Sequence, residues 1–220
     1  MPHEIFDSQA EKYDRWYDDH RATYLAELKI IRSILGGRGA GKEGSSEGGS
    51  AGPAPGATHH QAGCDLEIGA GTGRFAAPLG IRLGLDPSLP MLRMARARGV
   101  EAIRGLAEAL PFRNTSMRSI LVMTSLCYFD DPEMAFGEMA RVLEPGGRLI
   151  IGFLGRGGDI AEHNRETEEK GTFLAHATFY SPEEVTSLLA GAGFTGIRER
   201  MNGGTSEKGF HVMTATRPGV

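Results

Sequence analysis

Cysteine is almost absent: Cys64 and Cys127 are the only two in 220 residues. They stand far apart with no second ligand at metal spacing, which leaves neither a disulfide framework nor a zinc site and suits reduced thiols in the cytoplasm. A basic excess is missing too. Lys and Arg number 24 against 28 Asp and Glu, a formal net charge of -4, so no broad positive field draws the chain onto nucleic acid or anionic lipid. No run approaches a membrane span, and the opening M-P-H-E-I-F-D-S-Q-A shows no basic region leading into an apolar one. The expectation is a cytoplasmic protein without a membrane span or a nucleic-acid partner. With 40% hydrophobic residues, the chain has enough apolar material for one ordinary domain.

What is present falls into three stretches. Residues 1–35 carry a helical pattern, with Phe6, Ala10, Tyr13 and Tyr17 followed by Tyr24, Leu25, Leu28, Ile31, Ile34 and Leu35. That spacing predicts two helices with a break around Asp18 to Arg21. Residues 36–63 are glycine, serine, alanine and proline with almost no large apolar group, a composition that cannot offset its ordering entropy and predicts a flexible loop. His59 and His60 lie inside it without further ligands at hand. Residues 64–220 alternate short apolar runs with helical stripes, beginning at Cys64, Ile81, Val100, Ser119 and Arg148. Strand, helix, strand, repeated, predicts an α/β fold with a parallel sheet covered on both faces. S-P-E-E-V-T-S-L-L-A-G-A-G-F adds a helix with a serine cap and a glycine stop. Two runs, Thr195 to Met201 and Gly209 to Thr216, are candidate edge strands.

The chemistry concentrates in D-L-E-I-G-A-G-T-G-R-F, Asp65 to Phe75. In an open parallel sheet, ligands bind beyond the carboxyl ends of the strands, so a glycine turn after the first strand is the place to look. A dinucleotide turn needs G-x-G-x-x-G. Here Gly69, Gly71 and Gly73 alternate, and Arg74 occupies the third-glycine position. Glu67, two residues before the first glycine, would repel a pyrophosphate and attract an ammonium or sulfonium. Asp86, at the end of the second strand in G-L-D-P-S, can accept both hydroxyls of a ribose, or cap the following helix. Together these residues describe a nucleoside with a positive charge and no phosphate.

At this point the chain resembles the class I S-adenosylmethionine-dependent methyltransferases, in the small-molecule branch with the ubiquinone and menaquinone methyltransferases. E-I-G-A-G-T-G is similar to the family's first motif, G-L-D-P-S to its second and G-L-A-E-A-L-P-F to its third. L-E-P-G-G-R-L-I-I-G-F resembles the segment before the fifth strand, F-Y-S-P-E-E-V-T-S-L-L-A-G-A-G-F the C-terminal helix, and F-D-S-Q-A-E-K-Y-D-R-W-Y the N-terminal helix that closes over the cofactor. The resemblance implies a Rossmann-like three-layer sandwich, with a seven-stranded, mostly parallel sheet and an antiparallel last strand. It implies S-adenosyl-L-methionine as cofactor, residues 1–35 as a helical lid, residues 64–220 as the methyltransferase core, and a substrate-covering insertion near 157–180. It also implies roles for single residues. Gly69, Ala70, Gly71 and Gly73 would let backbone approach the methionyl part, with Glu67 at its ammonium and Asp86 at the ribose. Pro87 and Met91 would flank the adenine, with Ala107 and Glu108 at its edge. Thr124 and Leu126 would lie beneath the methionyl chain, and Tyr13 with Trp16 or Tyr17 would form the lid. The family often carries Asp where this chain has Leu106 and Ser119.

The implied reaction is methyl transfer to a small-molecule acceptor by in-line displacement, which needs positioning and exclusion of water more than acid catalysis. No D-P-P-Y-type signature follows the fourth strand, which disfavours methylation of nucleic-acid bases. His176 and Tyr128 are the candidates for a base or an orienting group; Cys127, which with Tyr128 falls near where the methyl should point, reads as a small core residue. Two other readings stay open: a module that binds the methyl donor without turnover, and a nicotinamide dehydrogenase, which Arg74 and Glu67 oppose.

Overall fold

The computed structural model describes residues 3–36, 64–167, 173–201 and 209–219. All of the expected loop except Gly36 therefore lies outside the described residues, His59 and His60 included.

Five short apolar runs become β1 (Cys64–Ile68), β2 (Leu83–Asp86), β3 (Glu101–Arg104), β4 (Met117–Met123) and β5 (Leu143–Leu154), and the two candidate edge runs become β6 (Thr195–Met201) and β7 (Phe210–Thr216). They form one sheet in the order β3-β2-β1-β4-β5-β7-β6. The β1 to β5 pairings are parallel, while β7 runs antiparallel to both β5 and β6. The strand order reverses between β1 and β4, which sets the topological switch point beside the glycine turn. β5 starts at Leu143, five residues earlier than its apolar run predicts, because Leu143 pairs with Met117 ahead of a break in register.

β4 shows how the sheet is covered on both faces. Ile120 and Val122 enter one core with Phe136, Met139, Val185 and Leu189, while Leu121 and Met123 enter the other with Leu28, Ile31, Leu92 and Ala95. Alternate side chains of a strand point to opposite faces, so a strand buried on both reads as a continuous apolar run. The first face is covered by α6 (Pro132–Val142) and α8 (Pro182–Gly191); the second by α3 (Arg21–Gly36), α4 (Ala76–Leu79) and α5 (Leu89–Ala97). Local signals start these helices. Asp131 caps α6 by accepting from the Met134 N–H, and Ser181 with Glu184 closes a capping box on α8.

Among the described residues before the sheet there are three helices rather than two: α1 (His3–Ser8), α2 (Ala10–Asp19) and α3. The inward face of α3 carries Thr23, Glu27, Leu28 and Ile31. Leu25, part of the expected apolar stripe, is 47% exposed, and Glu27 is buried in the layer where an apolar side chain is expected. After β5 follows α7 (Asp159–Thr167), then a short turn of helix at Phe173–His176.

Candidate functional site

The glycine turn leaves β1 with Gly69, Gly71 and Gly73 at φ of 68°, 52° and 79°, the left-handed region that favours glycine. Four of its amide groups are engaged inside the fold. The Gly69 and Ala70 N–H groups both donate to the Leu85 carbonyl, Gly73 donates to the Ala70 carbonyl, and Gly71 donates to Asp86 Oδ2 at 2.9 Å. A pyrophosphate at a helix N-terminus needs such groups aimed outward. The dinucleotide reading therefore lacks its third glycine, and these four N–H groups are not aimed outward. A Cβ on Gly73 would lie 3.1 Å from the Ala95 backbone, which shows this glycine permitting close packing of α5; one on Gly71 would meet only the Tyr13 ring, at 3.6 Å.

Asp86 is 8% exposed, and Oδ1 accepts from the Ser88 N–H at 2.9 Å. The cap of α5 is Ser88, whose hydroxyl accepts from Met91 N–H, so Asp86 is not the helix cap. Each carboxylate oxygen can accept more than one bond, which leaves capacity for hydroxyls in the cleft that Asp86 lines. Glu67 is 1% exposed and does not line the cleft around Asp86; among the described residues its Oε2 has no hydrogen-bond partner. Burial pushes its carboxyl well above the usual carboxylate range, despite the hydrogen bond from the Ala76 backbone.

Asp86, Pro87, Met91, Ala107, Glu108, Gly69 and Thr124 line one cleft with Leu106, Ser125 and Tyr128. Glu108 also holds the loop after β4, since its Oε1 accepts from the Asp130 and Asp131 N–H groups. Leu106 is 47% exposed at the cleft, an apolar surface where the family often has Asp. Ser119, the other departure, donates to Asp65 Oδ1, whose second oxygen takes Arg118 at 2.5 Å. An aspartate at 119 would set two carboxylates against each other. Thr124 has a φ of 50°, a strained conformation for a β-branched residue at the mouth of β4. Leu126 does not reach the cleft; it is sealed in the core between the sheet, α6 and α8.

The N-terminal helices close over this mouth. Tyr13 reaches the cleft; Trp16 and Tyr17 do not, and instead wall an adjoining chamber of about 400 Å³. The Tyr13 and Tyr17 hydroxyls are 2.9 Å apart, and Phe6 packs on Tyr13, Tyr128 and Phe173. α2 is fastened by a buried network not evident in the sequence. Asp14 accepts from Thr72 at 2.6 Å, from Arg74 at 2.7 and 2.9 Å, and from Arg98 at 2.8 Å. Arg74, the residue in the third-glycine slot, thus ties α2 to the glycine turn. The sequence signal for it was an acid four residues after Ala10 and three before Tyr17 on one helical face.

The candidates for proton transfer divide. His176 is exposed and lines neither cavity. Tyr128 lines both, and burial, followed by the charge of Cys127, holds its hydroxyl well above the usual phenol range. Burial pushes the Cys127 thiol up to about 12. Tyr13 is likewise pushed up to about 12 by burial, in spite of its bonds with Tyr17 and Thr124. The place where the two cavities meet is therefore furnished with the neutral hydroxyls of Tyr13 and Tyr128, while Cys127 lines neither cavity. Among the described residues no group of three acids, histidines or cysteines stands ready for a metal, and no helix is long and apolar enough to cross a membrane.

Comparison with known proteins agrees with this geometry. A methyltransferase domain model matches residues 66–151. An uncharacterised protein of Methanocaldococcus jannaschii is 33% identical over 195 residues, 88% of this chain and 82% of its own. The demethylmenaquinone methyltransferase of Thermus thermophilus is 38% identical over 98 residues, 39% of this chain and 44% of its own. In Thermotoga maritima, the crystal structure of an S-adenosylmethionine-dependent methyltransferase, described as a possible histamine N-methyltransferase, superposes with a TM-score of 0.79 at 31% identity, covering 99% of this chain and 100% of that one. The alternation of strands, the phosphate-averse glycine turn and these relatives converge: the chain belongs to the class I S-adenosylmethionine-dependent methyltransferases.

Proposed function

We propose that the protein transfers a methyl group from S-adenosylmethionine to a small-molecule acceptor, with the donor in the cleft at the switch point and the acceptor in the adjoining chamber. The observation that carries the donor assignment is the Glu67 Oε2, without a partner among the described residues, behind a turn in which the N–H groups of Gly69, Ala70, Gly71 and Gly73 are engaged. A buried carboxylate oxygen without a partner is costly and fits a ligand that brings a cation. Glu67 would take the donor's ammonium, Asp86 the ribose hydroxyls, and Pro87, Met91, Leu106 and Ala107 the adenine. Gly69, Gly71 and Tyr13 would border the methionyl part.

The donor supplies an electrophilic methyl group on a sulfonium, so departure of the neutral thioether needs no proton. The protein's own contribution is alignment and dryness. Tyr13 and Tyr128 line both cavities and stand between the two ligands; their hydroxyls remain protonated at neutral pH and orient rather than deprotonate. The Phe6, Tyr13 and Phe173 rings keep water from the junction. Calorimetry with S-adenosylmethionine and with a reduced nicotinamide tests the donor, and transfer of a labelled methyl into metabolite extracts tests the reaction. Saturable binding of the first compound alone is expected; absence of donor binding would defeat the proposal.

A further inference from the structure

The donor cleft and the adjoining chamber lie toward the carboxyl ends of the parallel strands. A separate groove of about 440 Å³ lies toward the other end of the sheet and shares no residue with either. It opens between α3 and the strands β5, β7 and β6, with Ser33, Ile34, Arg148, Ile150, Arg198 and Arg200 in its walls. On β5, Arg148 stands about 20 Å before Leu154, which lines the chamber.

Strand register accounts for the groove. Arg148 pairs with Thr216 and Ile150 with Thr214, and on the other side of β7, Thr214 pairs with Arg198 and Val212 with Arg200. Alternation sends Arg198 and Arg200 to the sheet face that α3 covers. Glu199, between them, goes to the opposite face, where it pairs with His211 Nδ1 at 2.7 Å. Cover fails along the first of these faces: Ile150 and Val212 are buried, Thr214 and Thr216 half-buried, and Arg198 and Arg200 exposed on the edge strand.

Charge on an edge strand guards it against pairing with another strand, and either sign serves that purpose. This groove has one sign only. Among the described residues no carboxylate lines it, and neither Arg198 nor Arg200 has an acidic partner, in a chain whose formal net charge is -4. Arg148 adds a third guanidinium, held by the Ile34 and Leu35 carbonyls at 3.2 and 3.4 Å. Guanidinium groups bind phosphate oxygens through paired N–H donors. Ile34 and Ile150 give the groove an apolar side next to these donors, and its volume suits a small molecule rather than a nucleic-acid strand.

We infer that the groove is a second ligand site, which binds a small organic phosphate with its phosphate against Arg198 and Arg200 and its organic part against Ile34 and Ile150. The site stands independently of the donor reading.

The test is calorimetry on the full-length protein with phenyl phosphate, inorganic phosphate and phenylacetate. Phenyl phosphate is expected to bind saturably, about tenfold tighter than phenylacetate, whose single charge engages the guanidinium groups less fully. It should also exceed inorganic phosphate by about threefold or more, through burial of the ring. Arg198→Gln and Arg200→Gln should each weaken phenyl phosphate about tenfold, with melting temperature near the native value because both side chains are exposed. Arg82→Gln, at an exposed position outside the groove, should leave the affinity within about twofold. Absence of saturable binding, native affinity in the Arg198→Gln, Arg200→Gln double variant, or an equal loss in Arg82→Gln would overturn the inference. Tighter binding of a polyglutamate peptide than of phenyl phosphate would also overturn it, by giving the groove to an acidic protein partner.

Discussion

Asp14 and Arg74, sixty positions apart in sequence, form a two-pronged ion pair, with Arg74 Nε 2.9 Å from Oδ1 and Nη2 2.7 Å from Oδ2. Arg98 and Thr72 complete the set of donors, and Asp18 takes the outer edge of the same guanidinium. Burial acts to raise the Asp14 carboxyl, but the hydrogen bonds from Arg74, Thr72 and Arg98 outweigh it and hold the carboxyl at about 2, against an ordinary 3.8. A carboxyl depressed in the folded state contributes stability that is complete above its unfolded value and is lost as pH falls through the folded value. The contribution, on the order of 2 kcal/mol, should therefore drain away between about pH 4 and pH 2. Asp14→Asn should lower stability at neutral pH by about 2–3 kcal/mol and flatten that acid limb. Denaturant melts across this range measure both, and an unchanged limb would remove Asp14 as the fastening of α2.

The contrast between this pair and the glycine turn shows what the sequence can disclose. Strand and helix types were legible because each is written in a local period, and the seven-stranded sheet followed from the family resemblance of the motifs that hold Glu67, Asp86 and the glycines. The role of Arg74 was not legible. Locally it is only the absence of a glycine, and its meaning depends on an acid on another helix. Glu27 was hidden for a related reason: one turn of α3 offers both Leu25 and Glu27, and tertiary packing exposes the leucine and buries the acid. The early start of β5 was masked by E-P-G-G, which reads as a turn even though Leu143 pairs with Met117.

Glu67 leads to a prediction about protons. Buried, with one oxygen unpartnered, its carboxyl lies well above the usual carboxylate range, whereas an ammonium beside it would favour the ionised form. Donor binding should then release a proton from the protein, and donor affinity should rise with pH above the usual carboxylate range. Calorimetry in two buffers of different ionisation enthalpy counts that proton. Glu67→Gln should abolish the release and weaken donor binding about tenfold or more. Equal proton release in the variant would assign the effect to another group.

Asp86 accepts structural bonds from Gly71 and Ser88, besides its proposed place at the ribose. Asp86→Ala should therefore weaken the donor by about a hundredfold and also cost about 1–2 kcal/mol of stability. Asp86→Glu should weaken the donor with a smaller loss of stability, because the charge persists in the wrong position. Affinity and melting temperature measured on both variants separate the two roles, and native donor affinity in Asp86→Ala would refute the ribose contact.

With its thiol pushed up to about 12 by burial, Cys127 is protonated throughout the neutral range and lacks the thiolate that reacts as a nucleophile. Peptide mapping after iodoacetamide treatment at neutral pH should find it unmodified in the native protein. Cys127→Ala should retain methyl transfer within about threefold, as expected of a packing residue. A loss of activity beyond about a hundredfold, with the fold intact, would show that the thiol takes part in the reaction.

Gly69 and Gly71 share a left-handed backbone but differ in surroundings, and this difference tests the direction from which the donor approaches. A Cβ on Gly69 would collide with the Ser125 Cβ, inside the packed β4 mouth, whereas one on Gly71 would meet only the Tyr13 ring at 3.6 Å. Both alanine substitutions incur the left-handed strain of about 1–2 kcal/mol. Gly69→Ala adds a clash that Ser125 cannot relieve while its hydroxyl donates to the Ile68 carbonyl, so it should cost about 2–4 kcal/mol in all and unfold first in a thermal melt. Gly71→Ala should melt closer to the native protein and show its main effect on donor affinity, since the new methyl enters the space between the turn and Tyr13. The reverse ranking, with Gly71→Ala the less stable and its donor binding intact, would mean that the donor does not pass over Gly71.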